Sequence, residues 1–267
     1  MDKLQAIDVH AHFGKYRGNK FKITNKFMSG DAKLVVRRAR LARTRLTIVS
    51  PLEALLPRLE GDPVSANTSA ARIVAETDGL LQWVVVDPTK EQTYRQAEAM
   101  LKLPGCVGIK IHPETHGYRI ARYGRAIFEF ASGHRAIVQS HSGEKNSLPL
   151  DFIKLADNFP RVRLILSHLG NGWDGDLTHQ VRAIKKSRHG NVYTDTSSAK
   201  SITANLLEWA VGEIGAERIL YGTDSPLYFA PMQRARVANA GISDKDKRLI
   251  LRDNALNLFG RKLKRWW

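Results

Sequence analysis

Short runs of apolar and β-branched residues recur along the chain at 6–12, 46–50, 81–87, 107–112, 136–141, 163–168, 192–196 and 219–224. Each has the length of a strand, and each is bounded by polar or glycine-containing sequence. The stretches at 31–43, 69–77, 91–103, 120–132, 149–158, 178–186 and 202–214 carry apolar residues at helical spacing. Strands alternating with helices predict a parallel sheet. Eight such units in 267 residues favour a closed α/β architecture, the (β/α)8 TIM barrel of about 250 residues, over an open doubly wound sheet. No linker or low-complexity segment divides the chain, so residues 1–267 are expected to form one barrel domain.

The apolar runs share a second pattern: each turns polar at its last one or two positions. Those positions hold His10 and His12, Ser50, Asp87, Lys110 and His112, Gln139 and His141, His168, Asp195, and Asp224. In a (β/α)8 barrel the carboxyl ends of all strands converge on one mouth, where active sites lie. Residues far apart in sequence are therefore expected to meet there.

Composition narrows the class. Apolar residues make up 43% of the chain, and no stretch approaches the roughly 18 uninterrupted apolar residues of a membrane span. With a site motif beginning at Asp8 and one cysteine, Cys106, neither a signal peptide nor an internal disulfide is expected, and the cytoplasm is the expected location. Cys106 reads as a small core residue. A formal charge of +16 favours anionic partners or substrates through the field of the whole molecule. The basic residues are dispersed, with small clusters at Arg37-Arg38-Ala39-Arg40, Lys185-Lys186-Ser187-Arg188 and residues 261–265. No nucleic-acid-reading motif accompanies them, which argues against that partner. The terminal Lys264-Arg265-Trp266-Trp267 reads as a tail packing its indoles on the body, and the polar stretch 15–30, with Phe21 and Phe27, as a surface connection or a lid over the mouth.

Ile7-Asp8-Val9-His10-Ala11-His12-Phe13 adds chemistry. Two histidines two apart on a strand point to one face and can chelate one metal ion, because imidazole is the commonest transition-metal ligand. Asp8 shares that face and reads as a buried structural partner.

With these motifs the chain resembles the amidohydrolase superfamily, specifically the amidohydrolase-related branch of small metal-dependent hydrolases and nonoxidative decarboxylases. The resemblance runs through Ile7-Asp8-Val9-His10-Ala11-His12, residues 67–76 leading to Val86-Asp87-Pro88, and Gly108-Ile109-Lys110-Ile111-His112-Pro113. It continues in Ser140-His141-Ser142-Gly143, Leu166-Ser167-His168-Leu169-Gly170, Leu220-Tyr221-Gly222-Thr223-Asp224-Ser225-Pro226 and Asp253-Asn254-Ala255-Leu256-Asn257-Leu258-Phe259.

The resemblance implies that His10, His12, His141 and Asp224 bind a catalytic divalent metal, with Asp224 also moving protons and His168 standing beside the activated water. Zinc is the expected ion, and manganese, iron, cobalt and nickel suit the same donors. Lys110 and His112 are expected to contact an anionic substrate. In binuclear members a carboxylated lysine at this place bridges two ions, and a second metal would then recruit Lys110, His141 and His168. Asp87 and Asp195 are further candidates at the mouth. A homodimer is the family habit.

Two reactions are compatible with this set. The expected one is metal-dependent hydrolysis of an amide, lactone or related carbonyl compound, favoured by the compact length of the chain. The alternative is nonoxidative decarboxylation of an aromatic or unsaturated acid. A basic binding protein without catalysis ranks below both, because an abandoned site has no reason to keep the whole ligand set.

Overall fold

Eight parallel strands follow one another around a sheet in sequence order, each paired with the next. The computed structural model describes residues 3–56 and 61–267. The strands are β1 (Ala6–Phe13), β2 (Thr44–Pro51), β3 (Leu80–Val85), β4 (Cys106–Ile111), β5 (Val138–Ser140), β6 (Leu164–Leu166), β7 (Val192–Asp195) and β8 (Ile219–Leu220). Backbone hydrogen bonds close the ring between β1 and the chain just past β8. Val9 N–H donates to Tyr221 O at 2.9 Å, Asp224 N–H to His10 O at 2.8 Å and His12 N–H to Ser225 O at 2.6 Å. The fold is the (β/α)8 barrel expected from the strand and helix pattern.

Several strands stop short of their expected polar ends. β6 ends at Leu166 and β8 at Leu220, because the chain must turn before it presents its polar group. His168 and Asp224 adopt left-handed backbone, with φ of 73° and 55°, which leaves the extended ladder and is uncommon for a residue with a Cβ. Helices form where apolar spacing meets a start signal. Asp31 caps the helix Ala32–Leu41 by accepting from Leu34 N–H. Asp62 and Pro63 start the helix Pro63–Ala75, six residues before the apolar periodicity becomes legible at position 69.

Two packed layers hold the ring. Outside, Val84, Ile109, Ile111, Val138, Leu164, Leu166 and Val192 meet helix residues such as Ala97, Ile127, Phe128, Phe152 and Ile184. At the amino ends of the strands, Ile7, Leu46, Leu81, Trp83, Ile137, Ile165 and Leu220 pack with Leu258, Phe259 and Leu263. The last helices, Asn254–Phe259 and Arg261–Lys264, thus plug one end of the barrel and leave the carboxyl end open. Cys106 is buried, and burial pushes its thiol up to about 11, as befits a packing residue. Trp267 packs onto this plug, while Trp266 remains 42% exposed, so one indole of the tail docks and the other does not. No helix among the described residues is long and apolar enough to cross a membrane.

Candidate active site

β1 delivers His10 and His12 to the open end, and the turn after β8 brings Asp224 against them. His10 Nε2 lies 3.2 Å from His12 Nε2, His12 Nε2 lies 2.8 Å from Asp224 Oδ1, and His10 Nε2 lies 3.4 Å from the same oxygen. Donors held at about 2.0–2.2 Å by one divalent ion stand roughly 3–3.5 Å apart. The three atoms therefore already sit at ligand spacing, and these residues fit a metal.

The opposite ring nitrogens fix the tautomers that such binding needs. His10 Nδ1 is 3.0 Å from Asp195 Oδ2. His12 Nδ1 is 3.2 Å from the Ser50 carbonyl and 3.0 Å from the Ser50 hydroxyl. A proton on each Nδ1 satisfies a carboxylate and a carbonyl, which leaves both Nε2 atoms as lone pairs facing one another. Burial holds His10 well below the usual histidine range, helped by the Lys110 charge, so its ring is neutral.

Lys110 is 1% exposed, and its Nζ lies 3.1 Å from His10 Nε2 and 3.4 Å from Ser167 Oγ. Burial pulls its pKa down to about 8, so the neutral amine is within reach of mildly alkaline pH. His168, held low by burial, has its ring 4.8 Å from that of His10 and 4.8 Å from that of His141. His141 stacks on His112 with centroids 4.1 Å apart, and its Nε2 lies 2.7 Å from Glu144 Oε1. Among the described His, Cys, Asp and Glu residues, two groups have donors close enough for one ion: His10–His12–Asp224 and His10–His168–Asp195. His141 joins neither, and the Asp87 carboxylate accepts from Thr89 N–H and O–H at 3.0 and 2.7 Å.

Asp8 lies beneath this floor. Its carboxylate accepts from His10 N–H at 3.0 Å, Thr223 N–H at 3.1 Å and Thr223 O–H at 2.5 Å, which ties β1 to the turn carrying Asp224. Burial pushes its pKa up to about 8. Sequence reasoning gave less weight to Asp195, placed Ser50 at a strand end without giving it a role, and missed Ser197 and Glu144. The spacing Asp195-Thr196-Ser197 repeats the two-apart logic of His10 and His12 and could have flagged that pair.

Above the floor lies a cavity of about 460 Å³, walled by Leu52, Leu55, Leu56 and Leu227, with Tyr16, Met28 and Tyr228 also in its lining. Tyr16 and Met28 come from the 15–30 stretch. The short helix in that stretch, Lys22–Phe27, buries none of its residues.

The Amidohydrolase family description matches residues 7–261. The chain belongs to this family. A curated relative, the gamma-resorcylate decarboxylase of Polaromonas sp., is 34% identical over 120 residues, which is 39% of this chain and 36% of that protein's length. Among solved structures, the dihydroxybenzoic acid decarboxylase of Polaromonas sp. with bound manganese and 2-nitroresorcinol superposes with a TM-score of 0.76 at 19% identity, covering 97% of each chain. The 5-carboxyvanillate decarboxylase of Sphingomonas paucimobilis superposes with a TM-score of 0.72 at 14% identity, covering 96% of this chain and 99% of the other. At such identities the superpositions establish the barrel, and the family match establishes an enzyme of the amidohydrolase superfamily.

These relatives correct the expectation of hydrolysis, because they are decarboxylases. Compact length does not distinguish the two reactions, since nearly the whole chain superposes on a decarboxylase barrel. The ligand pattern does not distinguish them either, because the same donors serve whichever bond is broken.

Proposed function

We propose that this protein is a metal-dependent, nonoxidative decarboxylase of a small aromatic carboxylic acid. The observation that supports it most directly is the 34% identity to a gamma-resorcylate decarboxylase. The leucine-walled cavity of about 460 Å³, with Lys110 and the His10–His12–Asp224 group in its lining, suits such a substrate.

In this reading His10, His12 and Asp224 hold the ion, with His141 as a fourth donor once its Nε2 leaves Glu144. When bound, the ion supplies Lewis acidity that draws substrate oxygens to the floor and stabilises negative charge on them. Manganese is the ion we assign first, since it occupies the Polaromonas decarboxylase and the 5-carboxyvanillate decarboxylase of Novosphingobium aromaticivorans, and imidazole and carboxylate donors accept it. The Lys110 ammonium pairs with the substrate carboxylate, a contact strengthened by its burial. Leu52, Leu55, Leu56 and Leu227 clamp the ring and exclude water, and His112 borders it. The bond from ring carbon to carboxylate breaks and its electron pair stays on the carbon. That carbon takes a proton that His168 or Asp224 has first taken up from solvent, and carbon dioxide leaves without consuming water.

The test is turnover of carboxyl-labelled 2,6-dihydroxybenzoate and 5-carboxyvanillate by manganese-loaded protein in deuterium oxide. One labelled carbon dioxide per acid consumed is expected, with one deuterium at the vacated ring carbon. Consumption without carbon dioxide, or no turnover across hydroxylated aromatic acids by the loaded protein, would overturn the reading.

A further inference from the structure

Asp195 is fully buried at the end of β7, where it touches both His10 and the chain at His168. One oxygen, Oδ2, faces His10 Nδ1 at 3.0 Å and accepts from Gln139 Nε2 at 3.2 Å. The other, Oδ1, accepts from His168 N–H at 3.1 Å, Ser197 N–H at 3.1 Å and Ser197 O–H. Ser197 is also fully buried. Its Oγ lies 2.8 Å from His168 Nδ1 and 3.0 Å from His10 Nδ1.

A hydroxyl has one proton to give. Asp195 Oδ1, a carboxylate oxygen, has no proton to give, so the serine proton is committed to it as the strongest acceptor within reach. Ser197 then presents only lone pairs to the two histidines. An imidazole nitrogen 2.8 Å from an oxygen lone pair must be the protonated one, so His168 carries its proton on Nδ1. The lone pair is left on Nε2, across the ring. His10 Nδ1–H points between Asp195 Oδ2 and Ser197 Oγ, which leaves its Nε2 for the metal.

We infer that Asp195 and Ser197 are a shared positioning pair that sets, through one carboxylate, which nitrogen of both His10 and His168 bears the proton. Neither touches substrate. The pair keeps His10 Nε2 bare for a cation and makes Nε2 the position at which His168 takes up or gives a proton, with the Asp195 charge, relayed by Ser197, offsetting an imidazolium. Coupling of the metal face and the proton-transfer face through one buried carboxylate follows from the hydrogen-bond count. The part of His168 in the proton step rests on the decarboxylase reading, whereas the tautomer assignment does not.

The test is nitrogen-15 spectroscopy of histidine-labelled, zinc-loaded protein, zinc being diamagnetic. The wild-type His168 signals are expected to report a proton on Nδ1. Ser197→Ala should shift them toward the other tautomer, and Ser197→Thr, which restores the hydroxyl, should return them. In turnover, Ser197→Ala should lower kcat about 10- to 100-fold, the range for removing a group that orients a reacting residue, with KM within about twofold. Asp195→Asn, isosteric with the native residue, should also weaken metal affinity about 10- to 100-fold. An unchanged His168 tautomer in Ser197→Ala would overturn the inference even if decarboxylation holds. A shifted tautomer rescued by threonine would support it even if no acid is turned over.

Discussion

His10 Nε2 and His12 Nε2 face each other at 3.2 Å although the hydrogen bonds at both Nδ1 atoms assign each Nε2 a lone pair. Two acceptors at that distance repel unless a cation or a proton lies between them. Asp224 Oδ1, 2.8 Å from His12 Nε2, adds negative charge to the same point.

This convergence predicts one divalent ion per chain, lost on substitution of either histidine or the aspartate. His10→Ala and Asp224→Asn should keep the far-ultraviolet circular dichroism of the barrel while metal content by elemental mass spectrometry falls toward zero. Manganese at about 100 times its Kd should raise the unfolding free energy of the wild type by about 2.7 kcal/mol. The same addition should leave both variants unmoved.

Lys110 is expected to trade stability for function. It is 1% exposed and forms no ion pair with a described carboxylate, and an ammonium in such a place costs several kcal/mol of desolvation. Lys110→Met should therefore raise stability by at least about 1 kcal/mol, seen as a Tm increase of roughly 2–4 °C for a chain of this size. Its kcat/KM toward aromatic acids should fall roughly 10- to 100-fold, the worth of a charged hydrogen bond. Melting curves and steady-state kinetics on the same preparation check both halves.

Acid sensitivity is expected from Glu208, which accepts from Arg236 Nη1 at 3.0 Å and Gly241 N–H at 2.9 Å. The Arg236 hydrogen bond leads in pulling its pKa from 4.5 to about 2. A folded-state value below the unfolded one means that the contribution is complete above about pH 4.5 and is lost as pH falls toward 2. Allowing for partial exposure, about 1–2 kcal/mol is at stake. Arg236→Met should flatten that part of the stability profile measured by urea titration between pH 5 and 2.5.

Gly108 is the position where a single methyl should do the most damage to the floor. An added Cβ would lie 2.5 Å from Ile137 O and 2.6 Å from the Trp83 ring. That ring is itself held by a hydrogen bond from Nε1 to Val9 O at 2.8 Å. Gly108→Ala should cost about 1–3 kcal/mol, read as a lower Tm. Because Lys110 is two residues along the same strand, weaker substrate binding should accompany it.

Much of the barrel was legible because its signals are local. Alternating apolar runs and helical spacing marked every strand, and the polar end of each run pointed to the mouth. Boundaries were less legible where geometry overrode composition. β8 keeps two residues of ladder, because the turn that presents Asp224 and the backbone hydrogen bonds to β1 replace the rest.

The sequence by itself determined the order of the eight strands, the alternation of helices between them, the family, and the placement of His10, His12 and Asp224 on the carboxyl side of the barrel. These follow from periodicity and from residues within a few positions of one another. Only the tertiary structure decided that Asp195 and Ser197 stand between His10 and His168, that His141 turns to Glu144, and that Lys110 reaches His10 Nε2. Those pairings join residues on different strands, 185 positions apart for His10 and Asp195. They depend on how far each strand turns at its end and on which neighbour accepts each proton, and neither quantity is written in the local spacing of the chain.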